Sequence, residues 1–335
     1  MTDKRDYNLL SHNTFGIDAL CRRFLEYETI GEAMEVAAIL RNGQTPYMII
    51  GGGSNLLLVG NYDGTVVRSA IKGIKIEGDN QVTAGSGEEW DRVVKATADS
   101  GFPNLVNLSL IPGDVGASVV QNIGAYGEEV GRYVKGIEAV EIATGRLVDI
   151  DPRDCCYSYR DSRFKHEWKG QYLIVRVTYS LDRHAPLNTE YGNIRAELER
   201  RNIYNPTPQQ LRDVIIGIRQ EKLPDPKVTG NAGSFFMNPI VNRQKYEALA
   251  ADYPQMPHYD VDHQHVKIPA GWLIEQCGWK GRSLGRAGVH DKQALVLVNL
   301  GGATGREIVA LCKRIQHDVS DKFGINIKPE VNICV

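Results

Sequence analysis

Two β-branched runs, Ile137 to Ile142 and Leu147 to Ile150, stand on either side of Thr144-Gly145, a pair suited to the tight turn of a hairpin. A hairpin needs antiparallel neighbours, so a sheet wound only from parallel strands is excluded. Further short runs bounded by glycine read as strands at Tyr47 to Ile50, Thr65 to Val67, Ile74 to Ile76, Tyr172 to Tyr179 and Ala294 to Val298. Helices are expected where a side-chain pair satisfies the first-turn N–H groups: Thr29 with Glu32, Ser86 with Glu89, and Thr304 with Glu307. After Thr304, the residues Ile308, Leu311, Cys312, Ile315 and Val319 follow helical spacing, and Gly324 suits the left-handed residue beyond the helix end. Another helix is expected from Thr207, with Pro208 in its first turn and Leu211, Val214, Ile215 and Ile218 on one face. The class is α+β.

With 335 residues the chain exceeds one ordinary core and implies two or three domains. Leu223-Pro224-Asp225-Pro226 ends the preceding helix and extends the chain, which makes it the domain boundary. No period of repeats recurs, so a solenoid or propeller is excluded. The 39 Lys+Arg nearly balance 41 Asp+Glu, with no basic run to neutralise nucleic-acid phosphates or a lipid surface. Local basic groups must then hold any anionic ligand. The N-terminus shows no apolar signal region and no run long enough to cross a bilayer, so a cytoplasmic protein is expected. Cys21, Cys155, Cys156, Cys277, Cys312 and Cys334 show no C-x-x-C spacing and read as reduced, mostly buried thiols. His263-x-His265 lacks a third ligand at useful spacing, so no metal is expected. Trp272 and Trp279, with Leu273, Ile274 and Cys277, read as helix core.

Two side-chain-poor segments carry the first functional signal. Ile49-Ile50-Gly51-Gly52-Gly53-Ser54-Asn55 follows a short apolar strand, and its glycines permit close approach of backbone N–H groups to an anion. It is neither a Walker loop nor a dinucleotide fingerprint. A diphosphate cradle and a tight turn are both open readings. The second segment runs from Ile111-Pro112-Gly113-Asp114-Val115-Gly116-Ala117-Ser118 through Gln121-Asn122-Ile123-Gly124-Ala125-Tyr126-Gly127. It is a poor core and a poor helix, and irregular backbone of that length implies binding. Together the two segments favour a large phosphate-containing cofactor.

Three residues are candidates for the reacting centre. Ser234, in Asn231-Ala232-Gly233-Ser234-Phe235-Phe236-Met237-Asn238-Pro239, sits between small residues and two aromatics. No G-x-S-x-G elbow surrounds it, so proton donation competes with acylation, and capping of a turn is the plainer alternative. Arg160, in Tyr157-Ser158-Tyr159-Arg160-Asp161-Ser162, can grip a carboxylate with two parallel N–H bonds or form an ordinary surface pair with Asp161. Glu330, in Ile327-Lys328-Pro329-Glu330-Val331, follows a helix and a proline, where an extended chain can aim it into a cleft or leave it solvated.

Seven motifs in order resemble the UDP-N-acetylenolpyruvoylglucosamine reductase family, also called UDP-N-acetylmuramate dehydrogenases, over essentially the whole chain. They are I-I-G-G-G-S-N at Ile49–Asn55, I-P-G-x-V-G-A-S at Ile111–Ser118, Q-N-I-G-A-Y-G at Gln121–Gly127, Y-R-D-S at Tyr159–Ser162, K-L-P-D-P at Lys222–Pro226, G-N-A-G-S-F-F-x-N-P at Gly230–Pro239, and P-E-V at Pro329–Val331. The resemblance implies an α+β protein with a two-part FAD-binding region of the para-cresol methylhydroxylase and vanillyl-alcohol oxidase type, plus a smaller α+β substrate-binding domain. Its implied parts are 1–70 and 71–222 for FAD and 223–323 for substrate, with the tail 324–335 returning to the first part.

The resemblance also implies non-covalent FAD, with Gly51, Gly52, Gly53, Ser54 and Asn55 at its diphosphate. Ile111, Pro112, Gly113, Gly116, Ser118, Gln121, Asn122, Gly124, Ala125 and Tyr126 are expected along the rest of the cofactor. NADPH is the implied reductant, and the implied reaction is reduction of UDP-N-acetylglucosamine enolpyruvate in peptidoglycan precursor synthesis. Hydride passes from flavin N5 to the vinyl carbon, Ser234 delivers a proton to the adjacent carbon, Arg160 stabilises the carboxylate and Glu330 assists the enolate-like intermediate. Tyr191, Lys222, Asn238, Tyr259 and Gln293 match substrate or nucleotide contacts, and Tyr191-Gly192-Asn193-Ile194 resembles the closing tyrosine loop of one subclass. Met237 departs from a position that is often basic in the family. A monomer without nucleic-acid partners is expected. The rival readings are another oxidoreductase of the same FAD fold and a non-catalytic UDP-sugar sensor.

Overall fold

The computed structural model describes residues 1–334, which form two compact units. One holds 1–7, 21–52 and 63–221; the other holds 8–20, 53–62 and the chain from 222 onward.

In the first unit, Tyr47–Ile50 runs parallel to Tyr62–Ser69 in a four-stranded sheet that also holds Thr2–Asn8 and Leu20–Tyr27. A second sheet has five strands in the order Leu147–Ile150, Val134–Glu141, Tyr172–Ser180, Gln81–Gly85 and Ile74–Glu77. Every neighbouring pair in it is antiparallel, including the hairpin around Thr144-Gly145. The helix Ile30–Asn42 links the two sheets through one apolar cluster: its Ala33, Val36, Ala37 and Leu40 pack with Leu25 and Val67 from the first and Val140, Leu173 and Val175 from the second. On the other face of the five-stranded sheet, Val93 and Val94 of the helix Trp90–Asp99 share a core with Val115, Val119, Val177 and Tyr179. A third cluster joins the helices Ile194–Arg200 and Pro208–Lys222 through Ile194, Leu198, Leu211, Val214, Ile215 and Ile218.

In the second unit, a four-stranded antiparallel sheet has the order Gly230–Ser234, Val296–Asn299, Ala287–Val289, Ser283–Leu284. The long helix Gly305–Phe323 opens on the complete Thr304–Glu307 capping box and closes on Gly324 at φ 60°. Its buried Ile308, Leu311, Cys312, Ile315 and Val319 form the stripe seen in the sequence. A three-stranded sheet of Ile240–Asn242, His265–Lys267 and Tyr259–Asp260 lies in the same unit. The chain's last strand, Asn332–Cys334, pairs in parallel with Leu56–Leu58.

Three expectations need correction. Ser86 caps no helix: its hydroxyl pairs with Ser69 Oγ at 2.6 Å, and the helix begins at Trp90 with no side-chain cap. Residues 115–121 are helical although the local composition opposes it, because Val115 and Val119 are fully buried against the sheet. Of the cysteines, Cys21, Cys155 and Cys312 are buried, but Cys156 is exposed and Cys277 and Cys334 are intermediate. The helix from Thr207 is present, and Thr207 and Gln210 also cap it reciprocally. Among the described residues no helix is long and apolar enough to cross a membrane.

Candidate active site

The candidate residues fall into two groups, one in each unit. In the first unit, the strand Tyr47–Ile50 delivers Gly51 and Gly52 onto the second glycine-rich segment. A Cβ at Gly51 would lie 2.7 Å from the Ala117 Cβ, and one at Gly52 would lie 3.2 Å from the Gly113 Cα. Gly51 is therefore needed for close packing of the two loops, and Gly52 leaves room for only a tight fit, whatever else they do. The result is a patch made almost wholly of backbone, which is what a diphosphate or the edge of a planar ring requires. Asp114 borders this patch and reaches Arg68 at 3.3 Å, while Arg68 also holds Glu26 at 2.8 Å. Burial pushes the Asp114 carboxyl above its usual range, and Arg68 and then Lys72 act against that rise.

The second segment is also tied to Arg160. Asn122 ends the helix Val115–Gln121 in the left-handed conformation, at φ 43°. Its buried amide donates to the Ser158 carbonyl at 2.7 Å and to Glu129 Oε2 at 2.9 Å, and it accepts from the Gly131 N–H at 3.0 Å. Ser158 and Asp161 in turn exchange backbone bonds of 3.1 and 3.0 Å, so the turn that presents Arg160 rests on Asn122. Ser162 fixes the far side by donating to the Val120 carbonyl at 2.7 Å. Arg160 itself has φ 56°, donates through Nη2 to the Gly124 carbonyl and lies 5.5 Å from the Tyr159 ring. Two motifs some forty residues apart in the chain are thus one physical device for aiming a guanidinium. Ser118 spends its hydroxyl on the Val115 carbonyl at 2.7 Å. Tyr126 packs edge-on against Tyr191, whose ring is exposed, with centroids 6.2 Å apart.

In the second unit, Gly53 takes φ 66°, and a Cβ there would lie 2.0 Å from the His12 carbonyl oxygen. Ser234 ends the strand Gly230–Ser234, which slips register between Asn231 and Ser234. Such a bulge re-aims the side chain that follows it. Asn231 builds the bulge: its Oδ1 accepts from the Gly233 N–H at 2.9 Å, and its Nδ2 donates to Thr229 O at 2.8 Å and Pro224 O at 3.2 Å. Phe235 and Phe236 are buried and anchor the exposed Ser234 from one side. Glu330 donates its N–H to the Phe235 carbonyl at 2.8 Å, and Met237 donates to Lys328 O at 2.9 Å. Asn55 then donates to the Glu330 carbonyl at 3.4 Å. Phe235, next to Ser234, therefore shares one hydrogen-bonded corner with the Glu330 backbone and the Asn55 side chain.

Of the remaining candidates in this unit, Asn238 accepts from the first N–H of the helix Ala270–Gln276 at 2.9 Å, and Gln293 accepts from Leu295 N–H at 3.3 Å. Tyr259 is half-exposed under the Lys267 ammonium, 5.8 Å from its ring centroid. Lys222 is exposed at the end of its helix. Sequence reasoning missed Asn231, although an Asn two residues before a glycine is a recognisable turn signal. It also missed Arg219, a charged residue on the apolar face of the helix Pro208–Lys222, four residues beyond Ile215.

A backbone-lined loop pair in one unit, and in the other a strand-end serine whose neighbour Phe235 is bonded to the Glu330 backbone, fit a flavoprotein of the two-part FAD-binding class joined to a second α+β domain. Residues 22–151 match the model described as FAD binding domain, and residues 225–334 match the one described as UDP-N-acetylenolpyruvoylglucosamine reductase, C-terminal domain. The Bacteroides fragilis UDP-N-acetylenolpyruvoylglucosamine reductase is 49% identical, covering 98% of this chain and 99% of its own. The Burkholderia multivorans protein of the same name is 44% identical, over 97% of this chain and 95% of its own. The crystal structure of the Thermus caldophilus reductase shares the fold, with a TM-score of 0.70 at 21% identity over 100% of this chain and 98% of that one. The chain belongs to the UDP-N-acetylenolpyruvoylglucosamine reductase family.

Proposed function

We infer that this protein is an FAD-containing, NADPH-dependent oxidoreductase that reduces UDP-N-acetylglucosamine enolpyruvate to UDP-N-acetylmuramate in peptidoglycan precursor synthesis. The observation that carries the reading is the backbone bond from the Glu330 N–H to the Phe235 carbonyl, with the bridge between Phe236 and Pro329, which brings the Ser234 motif and the Glu330 motif together at the edge of one sheet. The backbone patch at Gly51, Gly52 and Gly113 suits FAD, because it presents main chain with no side chains in the way, a Cβ at Gly51 clashing with the facing loop and one at Gly52 fitting tightly. Bound FAD supplies a two-electron carrier that accepts hydride from NADPH and passes it to the vinyl carbon.

In this reading Ser234 holds the proton delivered to the carbon next to the carboxylate, a task that demands hydrogen-bond reach rather than acidity. Arg160, pre-aimed by Asn122 and Gly124, holds the substrate carboxylate as negative charge grows there. Glu330 assists the same intermediate from its fixed place beside Phe235. Gly51 to Asn55 approach the FAD diphosphate, and Ile111, Pro112, Gly113, Gly116, Ser118, Gln121, Asn122, Gly124, Ala125 and Tyr126 line its remainder. For Ser118 and Asn122 the side chains serve the fold, so their contribution is through backbone and shape. Tyr191, Lys222, Asn238, Tyr259 and Gln293 bind the UDP-sugar. The functional parts are 1–70 and 71–222 for FAD and 223–323 for substrate. The pairing of Asn332–Cys334 with Leu56–Leu58 supports return of the tail to the first part. A cytoplasmic monomer completes the proposal.

Anaerobic stopped-flow absorbance tests the reading. NADPH is expected to bleach the bound flavin, and added UDP-N-acetylglucosamine enolpyruvate to restore its colour. Bleaching without recovery would remove the substrate assignment. Absence of flavin from folded protein reconstituted with FAD would remove the enzyme class.

A further inference from the structure

Arg160 adopts the left-handed backbone conformation, at φ 56°, which a long side chain takes only where its surroundings hold it there. One peptide unit, gripped at both ends, does the holding. Its N–H, on Asp161, donates to the Ser158 carbonyl at 3.0 Å, and that oxygen also accepts from Asn122 Nδ2 at 2.7 Å. Its oxygen, the Arg160 carbonyl, accepts from Lys165 Nζ at 2.6 Å. The ammonium polarises this carbonyl and so strengthens the bond made by the N–H at the other end of the same unit.

Lys165, half-buried, reaches the carbonyl from a rigid base. It ends the single helical turn Arg163–Lys165, and its own N–H donates to the Ser162 carbonyl at 3.0 Å. Phe164 is buried in that turn, edge-on to Trp168 and Tyr172 with ring centroids 5.2 and 6.2 Å away. The obvious acid partner for the ammonium, Asp161, is already engaged: both its carboxylate oxygens lie 2.8 Å from His166 Nε2. Lysine gives up much rotamer freedom when it is held, and here that loss fixes a main-chain oxygen and no charge. The orientation of that oxygen sets ψ of Arg160, and with it the direction in which the side chain leaves the turn. At the far end of the same side chain, Nη2 donates to the Gly124 carbonyl. The arginine is thus fixed at its root by Lys165 and at its tip by Gly124.

We propose that Lys165 is a positioning residue of the reductase: by gripping the Arg160 carbonyl it aims the guanidinium at the enolpyruvyl carboxylate, acting through Arg160 and not on the substrate itself. The inference rests on the role given to Arg160 above. An error of about 1 Å in the placement of such a group costs up to about 10²-fold in rate. Only the half-reaction that builds negative charge beside the substrate carboxylate depends on this aim. Hydride transfer from NADPH to the flavin does not.

The test uses FAD-loaded Lys165→Met, which keeps the length and loses the donor, and Lys165→Arg, which restores a donor, with Arg160→Met as reference beside the unaltered enzyme. Three quantities are read: flavin reoxidation at saturating UDP-N-acetylglucosamine enolpyruvate, flavin reduction by NADPH, and affinity of the oxidised enzyme for the enolpyruvyl sugar, titrated by perturbation of the flavin band. Lys165→Met is expected to slow reoxidation about tenfold or more, with a smaller loss of affinity, and to leave reduction by NADPH within about twofold. Lys165→Arg recovers part of the loss. Reoxidation at the parent's rate in Lys165→Met, or equal slowing of both half-reactions, would overturn the proposal and leave Lys165 a residue of the fold alone. Should Lys165→Met fail to fold, Lys165→Gln, whose donor stops one atom short, decides on the same two rates. A slow Arg160→Met beside a normal Lys165→Met overturns this proposal only, whereas reoxidation at the parent's rate in Arg160→Met removes the role of Arg160 itself.

Discussion

Gly53 is held to glycine by a contact that its own loop does not disclose. The His12 carbonyl occupies the space of a side chain at that position, and the backbone is left-handed at φ 66°. Gly53→Ala is expected to destabilise the protein by about 2 kcal/mol or more, read as a lower urea midpoint at an unchanged slope. A midpoint equal to that of the parent would refute the contact. Ser234 illustrates the opposite case, in which the motif names the residue and the structure supplies its mounting. If Ser234 is the proton donor, Ser234→Ala slows reoxidation by substrate about 10²-fold or more. NADPH reduction of the flavin should be unaffected in the same sample, and loss of both half-reactions in a folded variant would count against the role. Ser234, Arg160 and Glu330 could be singled out as candidates because each sits in a short motif, while their proposed roles came from the family resemblance and not from local chemistry. Asn231, Asn122 and Arg219 work through partners far away in the chain, and no local pattern points to those partners.

Helix starts were legible where a threonine hydroxyl accepts from a first-turn N–H, as at Thr29 and Thr304, and at Thr207 from the proline and the apolar face that follow it. At Ser86 the same pattern misled, because a hydroxyl from another strand, Ser69, takes the bond instead. The segment 115–121 misled in the other direction. Its glycine and β-branched residues oppose a helix, and burial of Val115 and Val119 overrides that preference. The Thr304 box also makes a pH prediction. Glu307 accepts from the Thr304 N–H and hydroxyl and from Arg286, which lower its pKa from 4.5 to about 2. A carboxyl whose folded pKa is depressed contributes stability above its unfolded value, and that contribution disappears as pH falls through the folded value. Thermal melts of the parent should therefore lose stability between about pH 4.5 and 2 through this group, and Glu307→Gln should flatten that part of the curve. Parallel acid limbs for the two proteins would show that the box does not titrate in this way.

The α+β class was readable at the scale of the whole chain because the Thr144-Gly145 hairpin and the capped helices are local features. The composition of the second unit was not, because it draws on three separated stretches: 8–20, 53–62 and the chain from 222 onward. Within that unit Thr14 donates to the Asn231 carbonyl at 2.6 Å, and the Asn299 amide donates to the Phe15 carbonyl at 2.9 Å. Gly305 approaches the Leu58 carbonyl so closely that a Cβ would lie 1.9 Å away, and the strand Leu56–Leu58 gives the last strand its pairing partner. Phe15, fully buried, meets the Phe235 ring edge-on at 6.1 Å beside the exposed serine. A fragment spanning 222–335 keeps the C-terminal family match but loses all of these partners. It leaves the Asn231 carbonyl, the Asn299 amide and a strand edge unpaired and strips an aromatic side chain from the core, each worth about 1–3 kcal/mol. Against a typical domain stability of about 5–15 kcal/mol, their sum removes most or all of the margin. The isolated fragment is therefore expected to show no cooperative thermal transition and little near-ultraviolet dichroism. A sharp melt with the near-ultraviolet spectrum of a packed core would mean that the early segments decorate a domain already complete without them.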